Sequence, residues 1–530
     1  KMNNKKIQVW LPLLISLAMC VGMFFGYKVR DSMPGKKFFS VDKARPLQEV
    51  LNLIQSKYVD DVPLRSISDT AIMAILNKLD PHSVFIPAED LQGINEDMAG
   101  NFFGIGVEFN IFNDTVNVTN VVPDGPSDKA GIQTGDKFIK VGDSSIAGKK
   151  ITPDQIRKLL RGDLGTTVLV SVLRNGSIKP VSITRNIIPV SSVDASYMME
   201  NGVGFIRLNK FSQVTYREFM KALEGLQQKG LKKLILDLRD NGGGVLDEAT
   251  SIADEFLDGD KLITYTEGKH MPKKEYRCKR QGLFEKGELV VLADEGTASA
   301  SEILIGALQD WDRATIIGRR SFGKGLVQEQ YDLSDGSALR LTVARYYTPI
   351  GRSIQRPYGK GEKAYFEEVN HRFTDGEVSS ADSVKNDSTK QFKTMGGKKV
   401  FGGGGISPDI FVAFDTTSAS ETTSRLFFRG TITDFAYTYY LQNTPRLKAY
   451  KTPAEFITGY SVDETTWKQF SSFAAPDSVT VDKINSIEKE TISKRIKSAI
   501  ARQLWRNEGY FEVINKEDKT IQKAMEVLNK

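Results

Sequence analysis

The stretch from Gly296 to Gln328, GTASASEILIGALQDWDRATIIGRRSFGKGLVQ, constrains this chain more than any other, because it leaves as a helix and returns as a strand. Ile303, Leu304, Ala307, Leu308 and Trp311 recur at helical spacing, so the run TASAS sits at a helix N-terminus, where a serine feels the positive end of the dipole. About a dozen helical residues carry the chain out roughly 18 Å, and the apolar run Ala314 to Ile317, with Gly318, comes back about as far. The glycine-flanked Lys324 then lands beside the serines. A lysine amine can act as general base for a serine hydroxyl when burial lowers its pKa, and flanking glycines let the backbone approach closely. The spacing predicts Ser299 as nucleophile and Lys324 as base. Taken singly, the two halves would be a helix cap and a solvated turn lysine; together they are chemistry.

This block resembles the C-terminal processing peptidases, tail-specific serine proteases of bacterial envelopes and chloroplasts. Their pattern is S-A-S-A-S-E-I, then G-A-L-Q-D, then F-G-K-G-x-V-Q, with the nucleophile at the middle serine. Ser299 and Lys324 stand 324 − 299 = 25 residues apart, as in that family. The resemblance implies that Gln328 hydrogen-bonds and orients the lysine, and that Asp310 is structural. Thr297 replaces a serine that varies among the relatives. The motif Leu79-Asp80-Pro81-His82-Ser83 also recurs in those peptidases; by itself it says only that a helix ends before a proline.

The segment Ala99 to about Pro189 resembles a PDZ domain. Phe103-Gly104-Ile105-Gly106 runs into the alternating stretch Val107 to Phe109, as a carboxylate-binding loop runs into its strand, and Thr152-Pro153-Asp154-Gln155 is a capped helix start. Glycines there expose backbone N–H groups to a terminal carboxylate, and the strand edge can accept a peptide strand. Beyond Pro189 the pattern is strand, helix, strand, followed by Asp237-Leu238-Arg239-Asp240-Asn241-Gly242-Gly243-Gly244. Three glycines before a helix could cradle a phosphate, but the run has neither the P-loop lysine nor dinucleotide-binding spacing. In the processing peptidases the matching loop supplies an oxyanion donor, which implies the N–H of Gly243 together with that of Ala300. A hairpin is expected over Val327 to Tyr347, turning at Ser334-Asp335-Gly336. The polar insertion 357–404 reads as a mobile surface excursion and its GGGG as a hinge.

At 530 residues, 40% hydrophobic, the chain can hold several cores. Its net charge of +6, with no basic block interleaved with aromatics, argues against nucleic acid. Two cysteines and three scattered histidines supply neither a disulfide framework, a zinc motif nor a Ser-His-Asp arrangement, and all three histidines read as structural or surface residues. No cofactor or metal is implied. Ile7 to Tyr27 is an uncharged apolar run after Lys1, Lys5 and Lys6, and predicts a transmembrane anchor; a cleaved signal peptide is the rival. Near the other end, Ile484, Ile487, Ile492, Ile496, Ile500 and Leu504 form an amphipathic stripe, read as an internal packing face before a dimer face.

The expected organisation is a multidomain α/β protein: a transmembrane helix (1–30), a helical region (41–98), a PDZ domain (99–190), a peptidase domain of the crotonase and Clp-protease type (191–414) and a helical C-terminal region (415–530). The expected function is a serine endopeptidase, single-pass in the bacterial inner membrane with its catalytic part on the periplasmic side, cutting proteins captured by their C-termini. A homo-oligomer or an adaptor protein is left open. Two alternatives remain at this stage: a crotonase-like enzyme using coenzyme A, which would not need Lys324, and a PDZ scaffold with an inactive protease domain.

Overall fold

The structure, a computed structural model, describes residues 12, 15–24, 28, 46–384, 390–415, 420–475, 481 and 484–530. The expected transmembrane helix is not found among the described residues. Among the described residues no helix is long and apolar enough to cross a membrane. Within the run from Ile7 to Tyr27 the continuous helical stretch is Ile15 to Phe24, and most of the remainder lies outside the described residues. Two short helices follow, Pro46–Lys57 and Leu64–Leu76.

The peptidase region is built on a six-stranded sheet in the order Val193–Met198, Val203–Leu208, Lys233–Asp237, Glu288–Ala293, Thr315–Gly318, Ile410–Phe411. The first pair is antiparallel and the rest are parallel. Parallel neighbours require crossovers, and the helices Thr215–Gln228 and Ala300–Asp310 provide two of them. Both faces of the sheet are buried, so its strands are apolar at nearly every position. Ile206, Leu208, Leu234, Leu236, Leu289 and Val291 face the helices Thr215–Gln228, Leu246–Asp254 and Ala300–Asp310. The alternate residues Phe205, Ile235, Val290, Leu292 and Ile317 meet Ile521, Ala524 and Leu528 of the helix Lys519–Leu528. Full burial of side chains such as Ile521 and Leu528 contributes about 1.5–3 kcal/mol each.

A second sheet runs Val84–Ile86, Ala338–Tyr347, Leu262–Gly268, Met271–Arg277, with Leu326–Asp332 also pairing Ala338–Tyr347. Residues around 84–86 were expected to lie within a helical region, but Val84, Phe85 and Ile86 pair with Arg340, Leu339 and Ala338. That pairing carries the Asp80–Ser83 motif into the peptidase region.

The PDZ sheet has the order Val107–Phe112, Thr115–Val121, Lys137–Val141, Thr167–Arg174, Ser177–Thr184, and encloses Val116, Val118, Phe138, Ile156, Val170 and Ile183. Its helix Pro153–Leu160 begins as the sequence predicts: Thr152 and Gln155 cap each other reciprocally, with proline at the first turn.

The C-terminal stripe is largely internal. Ile492, Ile496 and Ile500 of the helix Ser486–Asn515 are buried, while Ile487 is exposed. They pack with Phe435, Tyr439, Phe456 and Phe470 in a separate aromatic-rich core.

The insertion is not a loose excursion. It forms the helix Glu362–Thr374, whose Tyr365 and Arg372 are buried, and a short hairpin from Gln391–Lys393 and Lys399–Phe401. Nor is its glycine run a hinge. Gly403 and Gly405 donate N–H bonds to the carbonyls of Ser353 and Ile354, and a Cβ on Gly405 would stand 2.4 Å from the Ser321 oxygen. The glycines are there because two backbones approach closely.

Candidate active site

Ser299 ends the loop after the strand Glu288–Ala293 and opens the helix Ala300–Asp310. Its backbone has φ 56° and ψ −115°, a conformation that a residue with a side chain adopts only under constraint. Asn241 supplies part of that constraint. Its carbonyl accepts the Ala298 N–H and the Ser301 hydroxyl, both at 2.9 Å, while its buried side chain ties Leu208 to Gly243. Ser301 is thereby used inside the fold. Thr297 is buried as well and donates its hydroxyl to the Leu238 carbonyl. Of the three hydroxyls in the run, only Ser299 is partly exposed.

The two ends of the motif are locked together by one buried carboxylate. Glu302 Oε2 accepts the N–H groups of Ser299 and Lys324, each at 2.9 Å, and Oε1 accepts the Ser321 hydroxyl and the Gly323 N–H. Burial raises the pKa of Glu302, whereas these four donors favour its charged form. Tyr346 adds a second tie, its hydroxyl donating to the carbonyl oxygens of Ser299 and Lys324. The amine of Lys324 is in turn desolvated. Burial lowers its pKa, the charge of Arg340 pushes the same way, and Glu302 and Asp80 oppose.

Gln328 does not meet Lys324 through its amide nitrogen. Nε2 donates to Thr342 Oγ1 at 3.3 Å, and the Thr342 hydroxyl donates to Asp80 Oδ1 at 3.0 Å. An amide nitrogen only donates, so the Thr342 hydroxyl accepts from Gln328 and gives its own proton to Asp80, and Oε1 of Gln328 remains an acceptor for an amine. Asp80 is fixed by the N–H groups of His82 and Ser83 and by the Ser83 hydroxyl. His82 shares a hydrogen bond with Tyr365 at 2.9 Å; burial, then Lys324, lower its pKa to about 4, with Asp80 opposing, so its ring is neutral at pH 7. Sequence reasoning missed Asp80, His82 and Thr342. The recurring motif at Leu79 was the available signal, but nothing local says which distant loop it will reach.

The insertion braces the lysine loop from behind. Arg372 donates to the carbonyls of Arg320, Ser321 and Phe322, and the Arg356 N–H donates to Gly323 O. Burial would raise the pKa of Glu368, but Arg372, Arg320 and Arg356 hold it at about 2, so the brace is an ion-pair network. Asp310 is structural, as expected: it accepts from Arg352 and from the Ile350 N–H.

Gly243 lies against the turn at Ser299. A Cβ there, at φ 93°, would be 2.6 Å from Ala298 O and 2.7 Å from Ala300 N. Its own N–H, however, donates to Asn241 Oδ1 at 2.9 Å.

In the PDZ region, Gly104, Ile105 and Gly106 line a cavity of about 650 Å³ with the strand Val107–Phe112 and the helix Pro153–Leu160. Phe103 is not brought there. Side chains alternate along a strand, so Phe102 and Gly104 face the groove, while Phe103 lines a separate depression with Leu91 and Asn95.

An α/β scaffold that joins a strained serine to a desolvated lysine, next to a PDZ groove, defines a serine protease. Residues 202–360 match peptidase family S41, residues 104–184 match the PDZ domain family, and residues 422–506 match a family of unknown function. The chain is 37% identical over 313 residues to a carboxy-terminal-processing protease of Bartonella bacilliformis, covering 58% of this chain and 71% of that one. It is 35% identical over 321 residues to a protein of Staphylococcus epidermidis named "Probable CtpA-like serine protease", covering 60% of this chain and 64% of the other. Among solved structures, a photosystem II D1 C-terminal processing protease is similar at 26% identity and a TM-score of 0.36, covering 69% of this chain and 87% of that one. The chain belongs to peptidase family S41 and is a serine protease of the carboxy-terminal-processing type, carrying a PDZ domain. Of the alternatives left open by the sequence, the coenzyme A enzyme and the inactive scaffold are set aside on that ground.

Proposed function

We propose that Ser299 attacks the scissile carbonyl, that Lys324 takes its proton and returns it to the leaving amine, and that Gln328 orients the lysine through Oε1. The observation that carries this is the Glu302 clamp, which holds the backbones of Ser299 and Lys324 to one oxygen while burial lowers the pKa of the lysine. Desolvation favours the unprotonated form of the amine, the form that can accept a proton, more than exposure to water would. Ala300 and Gly243 donate to the oxyanion, Gly243 once Asn241 releases its N–H. Substrates are protein C-terminal tails: the backbone N–H groups of the Gly104–Gly106 loop bind the terminal carboxylate while the tail adds a strand to Val107–Phe112. The proposed site of action is outside the cytoplasm, on the periplasmic side of the bacterial inner membrane, as the resemblance to envelope proteases implies.

Incubating a protein that has a free apolar C-terminus with the wild type, Ser299→Ala and Ser301→Ala, and mapping products by mass spectrometry, tests the assignment. Ser299→Ala should abolish cleavage while Ser301→Ala keeps most of it; the reverse result would move the nucleophile by two residues. Amidating the substrate's C-terminus should slow cleavage of long substrates, and equal rates for acid and amide would remove tail capture.

A further inference from the structure

The PDZ groove has an unusual third wall. One edge of the strand Val107–Phe112 pairs with Thr115–Val121, which leaves the other edge for an incoming peptide. Val107, Phe109 and Ile111 turn towards the PDZ core. Glu108, Asn110 and Phe112 turn the other way, onto the C-terminal helical region. Glu108 pairs with Arg502, Asn110 donates to Asp434, and the ring of Phe112 stacks on Tyr437 at 5.2 Å between centroids. The end of the helix Glu421–Phe428 and the turn after it, Phe427 to Gly430, thus come to line the same cavity as the Gly104–Gly106 loop.

A peptide that joins this strand must alternate its side chains as the strand itself does. Its last and third-from-last side chains point into the pocket beneath the helix Pro153–Leu160. Its second- and fourth-from-last point to the other side, where an isolated PDZ domain would offer water. Here that side of the cavity is lined by Phe427 and Phe428. Phe427 is steadied by Arg495, whose guanidinium lies 3.9 Å from its ring centroid. Phe428 is 92% exposed. A segment that plugged the groove would bury this ring; an exposed one is a contact surface awaiting a partner.

Resting on the tail capture proposed above, we propose that the C-terminal helical region reads substrate sequence: Phe427 and Phe428 take a large apolar side chain at the second- or fourth-from-last position of the tail. The region that matches a family of unknown function would then be a specificity element of the PDZ groove.

Labelled ten-residue peptides with Leu, Ala or Asp at those two positions, each as free acid and as amide, can be titrated into the full chain and its Phe428→Ala variant by fluorescence anisotropy. Because Phe428 is exposed, the variant should fold. The wild type should prefer Leu over Asp about tenfold, the value of burying much of one side chain. Phe428→Ala should reduce that preference to about twofold while still preferring acid to amide. An unchanged Leu preference in the variant, or an Asp preference in the wild type, would overturn the inference. Equal binding of acid and amide, or no binding of either, would instead remove the tail capture on which it rests.

Discussion

Replacing Glu302 with glutamine separates the positional role of this residue from its charge. In the native site all four protons point at the carboxylate, from Ser299 N, Lys324 N, Gly323 N and Ser321 Oγ. A glutamine must aim its NH2 group at one pair of these donors. The least costly choice is the Ser321 side, because that hydroxyl can accept, and it leaves the Gly323 N–H facing another donor. One buried donor without a partner costs about 1–3 kcal/mol. For a domain of this size each kcal/mol lowers Tm by about 2–4 °C, so the expected loss is about 2–12 °C. The second effect has its own sign. The charge of Glu302 raises the pKa of Lys324, so removing it should move the rising limb of kcat/KM against pH to lower pH, even as displacement of the lysine loop lowers the maximum. Thermal unfolding and the pH–rate profile of tail cleavage together check both effects. A variant with unchanged Tm and an unshifted profile would refute the clamp.

Lys324→Met should lower kcat at least a hundredfold, as expected for loss of a general base. It should also stabilise the fold: the unfolded lysine keeps its ordinary pKa of 10.5 while the folded one is lowered, so the unfolded state binds more protons, and the gain should shrink as pH rises towards 10.5 in thermal melts. For His82 the folded pKa of about 4 lies below the ordinary 6.5, so stability should decline as pH falls through that window and His82→Gln should flatten the decline; no inflection near 6.5 should appear in the activity profile. Thr342→Val removes the hydroxyl between Gln328 and Asp80 and should reduce kcat about tenfold with KM little changed, while Thr342→Ser restores it.

The strand–helix–strand frame that brings the backbones of Ser299 and Lys324 together was legible because it lies within one short stretch, where helical period and strand length determine what returns to what. The meeting of Asp80 with Thr342 was not, although Asp80 lies in a recurring motif: it depends on pairing of Val84–Ile86 with a strand more than two hundred residues later, and local patterns do not record long-range register. The insertion misled for a different reason. Its glycines and charges are those of a loop, yet Arg372 is buried there, pairing with the half-buried Glu368 four residues away on the same helix and donating to backbone carbonyls. Phe103 failed by one residue, since a strand turns each neighbour to the opposite face. The apolar run near the N-terminus satisfies a composition rule, but among the described residues no helix is long and apolar enough to span.

The helix Lys519–Leu528 imposes an order of events on how this protease comes into being. The strands whose outer face it covers leave the ribosome long before it does, and Arg239, just ahead of the glycine loop, finds its partner Asp518 only when that helix arrives. Until then the sheet keeps an oily face open to solvent and to other chains. Ser299 and Lys324 can be synthesised, and even brought together, before the floor beneath their sheet exists. Competence to cut is thereby tied to the arrival of the helix Lys519–Leu528, and a chain that stopped short of Lys519 would carry Ser299 and Lys324 without the support their sheet rests on.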